Sequence, residues 1–313
     1  MNVVISEFMD EPAVAWLAAK FEVRYDAALV DRHAELTEAL AGADALIVRN
    51  RTQVDRTLLA AGSRLKVVGR LGVGLDNVDV AACEERGIRV IPATGANALA
   101  VAEYVIATAM LLLRGVYGST AEVGRGEWPR AALSGGREID GKILGIVGFG
   151  GIGRLTAGRA RSLGMRVIAF DPQIPSGAAV WTEEQVELEA LDDVLRKSDV
   201  VTLHVPLTPA TRGLIDGSKL ALMKADAVLI NTARGGIVDE AALAAAIRAG
   251  KLGGAALDVF ASEPLPRASP LADCPRLILT PHVAGVTRES NTRVSTMIAA
   301  EVAAELERPR RGA

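Results

Sequence analysis

Short unbroken apolar runs recur along the chain, and between them apolar positions fall three or four apart. In the first hundred residues the runs are NVVIS, ALIVRN, LKVVGR and IRVIPA, separated by EPAVAWLAAK, VDRTLLAAG and NVDVAACEERG. The runs predict buried strands and the intervening stretches predict helices. Strands that alternate with helices pair in parallel, with helices on the sheet faces. A second series opens at KILGIVGFG and continues through MRVIAFD, DVVTLHV, AVLINTA, GAALDVF and RLILTPH, with helices such as DEAALAAAIRAG between them. TRESNTRVSTMIAAEVAAELERP reads as one terminal helix. The pattern predicts two doubly wound, parallel-sheet α/β units in succession.

The most apolar stretch, ALAVAEYVIATAMLLL at 98–113, is interrupted by Glu103. It is shorter than the ~20 residues a bilayer span needs. It predicts a buried helix at a domain or subunit contact, with no membrane partner. MNVVISEFMDE lacks the basic start of a signal peptide, so a cytoplasmic location is expected. Composition adds to this picture. A length of 313 residues suits two domains, and a hydrophobic share of 50% provides each with a core. A net charge of −3 without a basic block argues against a nucleic-acid partner. Cys83 and Cys274 stand far apart outside any CxxC spacing, so reduced thiols are expected and no metal site.

Two glycine clusters invite comparison. In GIVGFGGIGRLTAGRARSLGMRVIAFD, Gly148, Gly150 and Gly153 follow a strand and open a helix. The first permits a sharp turn, the second lets a pyrophosphate approach the backbone, and the third lets helix and strand pack closely. Asp171 ends the next strand, eighteen residues after Gly153. An acid there accepts hydrogen bonds from adenosine ribose hydroxyls and repels a 2′-phosphate, which predicts NAD in preference to NADP. The earlier cluster, VVGRLGVGLDNVD, has Gly72 and Gly74 but Asn77 at the third position, and its next strand ends without an acid.

Only three histidines exist, so candidates for proton transfer are few. His33 opens a polar helix, whereas His204 and His282 each end a strand, where ligands meet an open parallel sheet. Spacing alone does not choose between the last two. Arg234, past the strand AVLINTA, either holds a carboxylate through two parallel hydrogen bonds or flanks a helix in solvent. Glu263, in ASEPLP, reads as a surface residue on spacing alone.

The segments VGFGGIG, HVPLTPATRGLI, INTARGGIVDEAAL, AALDVFASEPLP and ILTPHVAG together resemble the D-isomer-specific 2-hydroxyacid dehydrogenases. Within them, LIVRNRTQVD, VVGRLGVGLDNVD and GANALAVAEY are most similar to D-3-phosphoglycerate dehydrogenases. The resemblance implies a flavodoxin-like substrate domain (1–97 plus 286–313), a Rossmann NAD-binding domain (98–285) with a cleft between them, and a homodimer through the NAD-binding domain. It implies His282 as the acid/base, Glu263 as its partner and Arg234 as the carboxylate clamp. His204 then falls on the cofactor side. The implied NAD contacts are the glycine turn (Gly148, Gly150, Gly151, Ile152, Gly153), Asp171, His204, Val205, Pro206, Thr232, Ala233, Asp258, and the stretch from His282 through Ala284 to Gly285. The chain stops after its terminal helix, so regulation through the extra C-terminal domains of some phosphoglycerate dehydrogenases is not expected.

The expected reaction moves hydride between nicotinamide and C2 of a short anionic 2-hydroxy or 2-keto acid. Arg49 and Arg51 follow one strand and Arg70 another; if the first segment stays extended, Arg49 and Arg51 share a face. Such a pair suits a second anionic group, and the alternative is that these arginines pair with surface carboxylates. The resemblance implies that Arg49 and Asn50 meet a phosphate end, that the backbone at Val73 and Gly74 docks the carboxylate, and that Asn97 faces the same cleft; Arg70, past its own strand, is a further substrate-binding candidate. A 3-phosphoglycerate-like acid is favoured. A sulfonate such as 3-sulfolactate, malate-like diacids, and glyoxylate or hydroxypyruvate are alternatives. Outside catalysis stand NAD(H)-sensing corepressors of this fold, though no peptide-docking extension is evident.

Overall fold

The computed structural model describes residues 1–308; the end of the expected substrate domain, 309–313, lies outside the described residues. The chain forms two compact units, one of Met1–Asn97 with the segment from Val286 onward, the other Ala98–Gly285.

The first unit runs β1 (Asn2–Ile5), α1 (Glu11–Ala18), β2 (Glu22–Tyr25), α2 (His33–Leu40), β3 (Ala45–Val48), α3 (Arg56–Ala61), β4 (Val67–Arg70), α4 (Val80–Glu85) and β5 (Arg89–Pro92). Its sheet is wholly parallel in the order β2-β1-β3-β4-β5, the flavodoxin-like order. Alternate residues of the central strands feed opposite faces. Val3, Ile5, Ile47 and Val67 pack against one set of helices, and Val4, Leu46 and Val68 against the other.

The second unit runs α5 (Ala98–Arg114), α6 (Thr120–Gly124), β6 (Ile143–Val147), α7 (Gly151–Ser162), β7 (Arg166–Phe170), α8 (Val180–Glu183), β8 (Glu187–Leu188), α9 (Leu191–Lys197), β9 (Val200–Leu203), α10 (Gly217–Leu220), β10 (Val228–Asn231), α11 (Glu240–Arg248), β11 (Gly254–Leu257) and β12 (Leu277–Leu279). Its seven parallel strands lie in the order β12-β11-β10-β9-β6-β7-β8, a Rossmann arrangement. Its strand order reverses between β6 and β9, where ligands of such sheets bind. The apolar helix α5 buries Val105, Ala109, Leu112 and Leu113 against this sheet. Among the described residues no single helix is long and apolar enough to cross a membrane.

Two strands go unseen in the apolar pattern, β2 and β8. Both are edge strands carrying charged residues, with alternating exposure in β2. An edge strand needs only one apolar face, and charges there discourage pairing with other chains.

The final helix, α12 (Arg288–Glu307), returns to the first unit. It starts at a capping box between Thr287 and Ser290 and buries Val294, Ile298, Val302 and Leu306. Gly69 on β4 lets it press close, since a Cβ there would lie 2.8 Å from methyl groups of both Ile298 and Val302. Gly69→Val is expected to cost about 1–3 kcal/mol by overpacking. Gly118→Ala, where a Cβ meets open space, should change stability by less than about 0.5 kcal/mol. Urea denaturation midpoints of the two variants measure the difference.

Candidate active site

The glycine turn after β6 shows a separate physical need at each position. Gly148 has φ +96°, and a Cβ on it would lie 2.5 Å from the His204 carbonyl oxygen. A Cβ on Gly153 would lie 2.5 Å from the Gly148 carbonyl. At Gly150 and Gly151 a Cβ would meet nothing within 4 Å, so the glycines leave open backbone there. Gly150 is the N-cap of α7 and supplies no side-chain cap, leaving the first-turn amides to a ligand. Ile152 lies in that same first turn.

Asp171 stands one residue past β7 and already has structural work. Its carboxylate accepts the Phe149 amide at 2.7 Å and the Gln173 amide at 2.9 Å. An ionised carboxylate has about four acceptor sites, so capacity remains for ribose hydroxyls. The earlier cluster differs in kind. A Cβ on Gly72 would overlap the Arg70 guanidinium, so that glycine makes room for a side chain.

Beside the turn, His204 follows β9 with Nε2 3.0 Å from Thr202 Oγ1. Desolvation pushes its pKa down to about 4, leaving a neutral ring at ordinary pH. Val205 packs close, a methyl group 2.9 Å from where a Gly148 Cβ would stand, and the Pro206 carbonyl accepts the Thr211 hydroxyl at 2.5 Å. Past β10, Thr232 Oγ1 is buried with no hydrogen-bond partner in the protein. An orphaned hydroxyl at the carboxyl end of a Rossmann strand suits a bound nucleotide. Together with the open turn and Asp171, these residues fit NAD.

Asn231, buried at the end of β10, brackets the arginine turn. Its Oδ1 accepts the Ala233 amide at 3.0 Å, and its Nδ2 donates to the Arg234 carbonyl at 2.9 Å. Arg234 Nη1 donates to the Ala233 carbonyl at 2.6 Å. Gly235 lets this turn lie flat on the 260–261 backbone, because any Cβ would overlap the Phe260 carbonyl. That backbone leads to Glu263, whose Oε1 accepts the Phe260 amide at 3.1 Å.

Glu263 Oε2 lies 2.8 Å from His282 Nδ1. Both side chains stay partly open, at 36% and 41% exposure, so the pair is reachable. With Nδ1 committed to the carboxylate, Nε2 is the nitrogen left for chemistry. His282 takes the left-handed conformation at φ 55°. Its amide donates to the Asp258 carbonyl at 2.9 Å, while the buried Asp258 carboxylate accepts the amides of Val283 and Ala284 at 2.8 and 2.7 Å. Asp258 thus shapes the turn from His282 to Gly285.

In the first unit, buried Glu7 follows β1 and accepts the amides of Arg49 (2.8 Å), Arg51 (3.1 Å) and Thr52 (3.0 Å). Asn77 donates to the Thr52 carbonyl at 2.7 Å. These bonds correct the expectation of a shared Arg49–Arg51 face. The strand ends at Val48, the chain bends over 50–52, and Arg51 pairs with Asp31 at the surface. Arg49 instead lies half-buried, 5.7 Å from the Phe8 ring centroid and 2.9 Å from Asn291 Oδ1. Asn50 and Val73 are exposed and Gly74 half-buried. Asn97 Oδ1 is buried without a hydrogen-bond partner. The sequence pattern does not reveal the roles of Glu7, Asn77 and Asn231. For Glu7 and Asn231 the one available signal is a polar residue at or just past the end of a fully apolar strand.

Comparison with known proteins adds a family to this geometry. Residues 106–284 match "D-isomer specific 2-hydroxyacid dehydrogenase, NAD binding domain". The chain is 57% identical to the (S)-sulfolactate dehydrogenase of Chromohalobacter salexigens over 94% of each. It is 39% identical to the D-3-phosphoglycerate dehydrogenase of Methanocaldococcus jannaschii over 96% of this chain, and spans 57% of that longer protein. The TT0316 protein of Thermus thermophilus superposes with a TM-score of 0.89 at 35% identity, covering 98% of this chain and 97% of that one. The chain therefore belongs to the D-isomer-specific 2-hydroxyacid dehydrogenases, NAD-dependent oxidoreductases acting on short 2-hydroxy acids.

Proposed function

We propose that this enzyme interconverts (S)-3-sulfolactate and 3-sulfopyruvate, with His282 as acid/base, Glu263 as its orienting partner and Arg234 as carboxylate clamp. The His282–Glu263 pair carries the chemical part of this reading, because it commits one ring nitrogen and leaves the other to the substrate hydroxyl. The glycine turn and Asp171 would hold NAD, which when bound would supply the hydride acceptor or donor for C2. In oxidation, neutral His282 accepts the C2 hydroxyl proton; in reduction, the imidazolium donates it to the carbonyl oxygen. Arg234 grips the carboxylate as a planar fork and so sets the orientation of C2. Neutral His204, Val205, Pro206, Thr232, Ala233, Asp258, Ala284 and Gly285 are proposed to line the nucleotide.

The substrate assignment rests on identity running through nearly the whole of both this chain and the sulfolactate dehydrogenase. The (S) label is compatible with a D-specific enzyme. A sulfonate raises the priority of the C3 substituent above the carboxylate, so the D arrangement that is (R) in lactate or phosphoglycerate is named (S) in sulfolactate. Arg49, with Asn50 and Arg70, is proposed to receive the sulfonate end, the backbone of Val73 and Gly74 to dock the carboxylate, and Asn97 to face the same substrate. The guanidinium of Arg49, partly desolvated and pinned by Phe8 and Asn291, is the group that an acid with an uncharged tail would leave without a bound anion. A phosphorylated C3 acid is the second reading, favoured by the phosphoglycerate dehydrogenase relatives.

A homodimer through the NAD-binding unit is also proposed. Met110, Leu111, Tyr117, Val123 and Trp128 are all exposed along one stretch of that unit, Trp128 at 77%. Contiguous exposed apolar surface marks interfaces, and these side chains are proposed to supply it. The free thiols, with Cys83 pushed up to about 11 by burial, suit a cytoplasmic setting.

Steady-state NADH oxidation with 3-sulfopyruvate, 3-phosphohydroxypyruvate, hydroxypyruvate and glyoxylate tests the substrate. 3-Sulfopyruvate should lead in kcat/KM by tenfold or more, and a lead by either uncharged-tail acid overturns the reading. His282→Gln should lower kcat by roughly 10²–10⁴-fold. His204, held neutral at ordinary pH by its burial, should add no ionisation of its own to the rate near neutrality. NADPH should replace NADH poorly, and Asp171→Ser should narrow the gap while weakening NADH binding. In sedimentation velocity, Trp128→Glu should shift a dimer toward monomer.

A further inference from the structure

Tyr104 lies on α5 and has no part in the chemistry above. Its hydroxyl is 2.6 Å from Thr280 Oγ1, and Thr280 Oγ1 is 2.6 Å from Asp258 Oδ1. The direction of these bonds follows from the groups. Asp258 accepts at both oxygens, from the Val283 amide at Oδ1 and the Ala284 amide at Oδ2. A carboxylate only accepts, so the single Thr280 proton goes to Asp258 and Thr280 takes its own bond from the phenol. A one-way chain results, from Tyr104 through Thr280 to Asp258, ending on the two amides that follow His282.

Between those fixed points His282 adopts φ 55°, a conformation costly for any residue with a Cβ. Such geometry costs about 1–3 kcal/mol and persists only where its surroundings over-determine it. The Thr280 and Asp258 carbonyls both accept the His282 amide, at 3.0 and 2.9 Å, so the same two residues hold the turn from both sides. Burial raises the Tyr104 pKa, which keeps the proton on the phenol and the chain in its donating sense.

We propose that Tyr104 is a positioning residue for His282: through Thr280 and Asp258 its hydroxyl fixes the turn that aims the imidazole, and so governs the rate of the proton-coupled step without binding the acid. This rests on the reading of His282 as the acid/base. Tyr104→Phe removes the first donor and keeps the ring in its packing. Thr280→Val removes the relay at equal volume, and Thr280→Ser retains the hydroxyl.

The test is a stopped-flow single turnover, in which enzyme with NADH meets 3-sulfopyruvate and the loss of NADH absorbance gives a rate and an amplitude. Steady-state kcat and KM, and the double variant Tyr104→Phe/Thr280→Val, complete the set. Tyr104→Phe and Thr280→Val should each slow the single-turnover rate by about tenfold at full amplitude, with KM for the acid within twofold. Thr280→Ser should stay near the parent. The double variant should be no slower than Thr280→Val, because groups acting through one chain are not additive. A loss of amplitude at unchanged rate would mean only that less enzyme is folded, and it overturns the proposal. So would independent, multiplicative losses in the double variant, or a Tyr104→Phe enzyme at the parent rate. His282→Gln separates the two readings. If that variant turns over at the parent rate, the acid/base assignment itself falls. If it is inactive while Tyr104→Phe is normal, only the role of Tyr104 falls.

Discussion

A side chain that ties down the backbone of a tight turn is the interaction on which the functional turns depend, an amide at Arg234 and a carboxylate at three others. Turns that leave the carboxyl end of a parallel strand carry amides with no strand to pair with, and an unpaired amide near the interior is costly. Glu7 collects three such amides around Arg49, Asp258 collects two after His282, and Asp171 collects that of Phe149 in the glycine turn and that of Gln173 in its own. Each acid converts a liability into a fixed turn. Charge-assisted bonds of this kind are the strong ones, and several to one carboxylate leave it little freedom.

The same arrangement explains why chemistry gathers at one end of each sheet. In a parallel sheet every strand delivers its following turn to the same side. The strand orders 2-1-3-4-5 and Rossmann each contain a reversal where neighbouring turns part and leave a crevice. Glu7 and Arg49 follow β1 and β3, the strands flanking the reversal of the first sheet. Gly148 and His204 follow β6 and β9, flanking that of the second.

Membership of the D-isomer-specific 2-hydroxyacid dehydrogenases sets the reaction type and the cofactor. In the proposed reading the distal end of the substrate falls to the first unit. There Arg49 is held by an aromatic face and an amide oxygen. Glu7, spent on backbone amides, acts on that guanidinium only as a nearby charge. A cation so placed keeps its charge available for an incoming anion. On that ground the proposed reading places a sulfonated or phosphorylated acid ahead of glyoxylate.

By itself, the sequence determined the two α/β units, their central strands and the glycine turn, because continuous apolar runs and glycine spacing are local signals that tertiary context rarely overrides. It also marked Arg234 and the two strand-end histidines, while the choice of His282 over His204, and the role of Glu263, came only through family resemblance. Edge strands β2 and β8 escape that pattern, since half-exposed strands keep charged residues. Only the tertiary structure separated Arg49 from Arg51, because a buried acid far upstream, Glu7, bends the segment between them. Only the fold brought Tyr104 to Thr280 across 176 positions of sequence, and Glu263 to His282 across 19. Hydrogen bonds of such reach depend on where strands end in space, and no pattern of neighbouring residues encodes that.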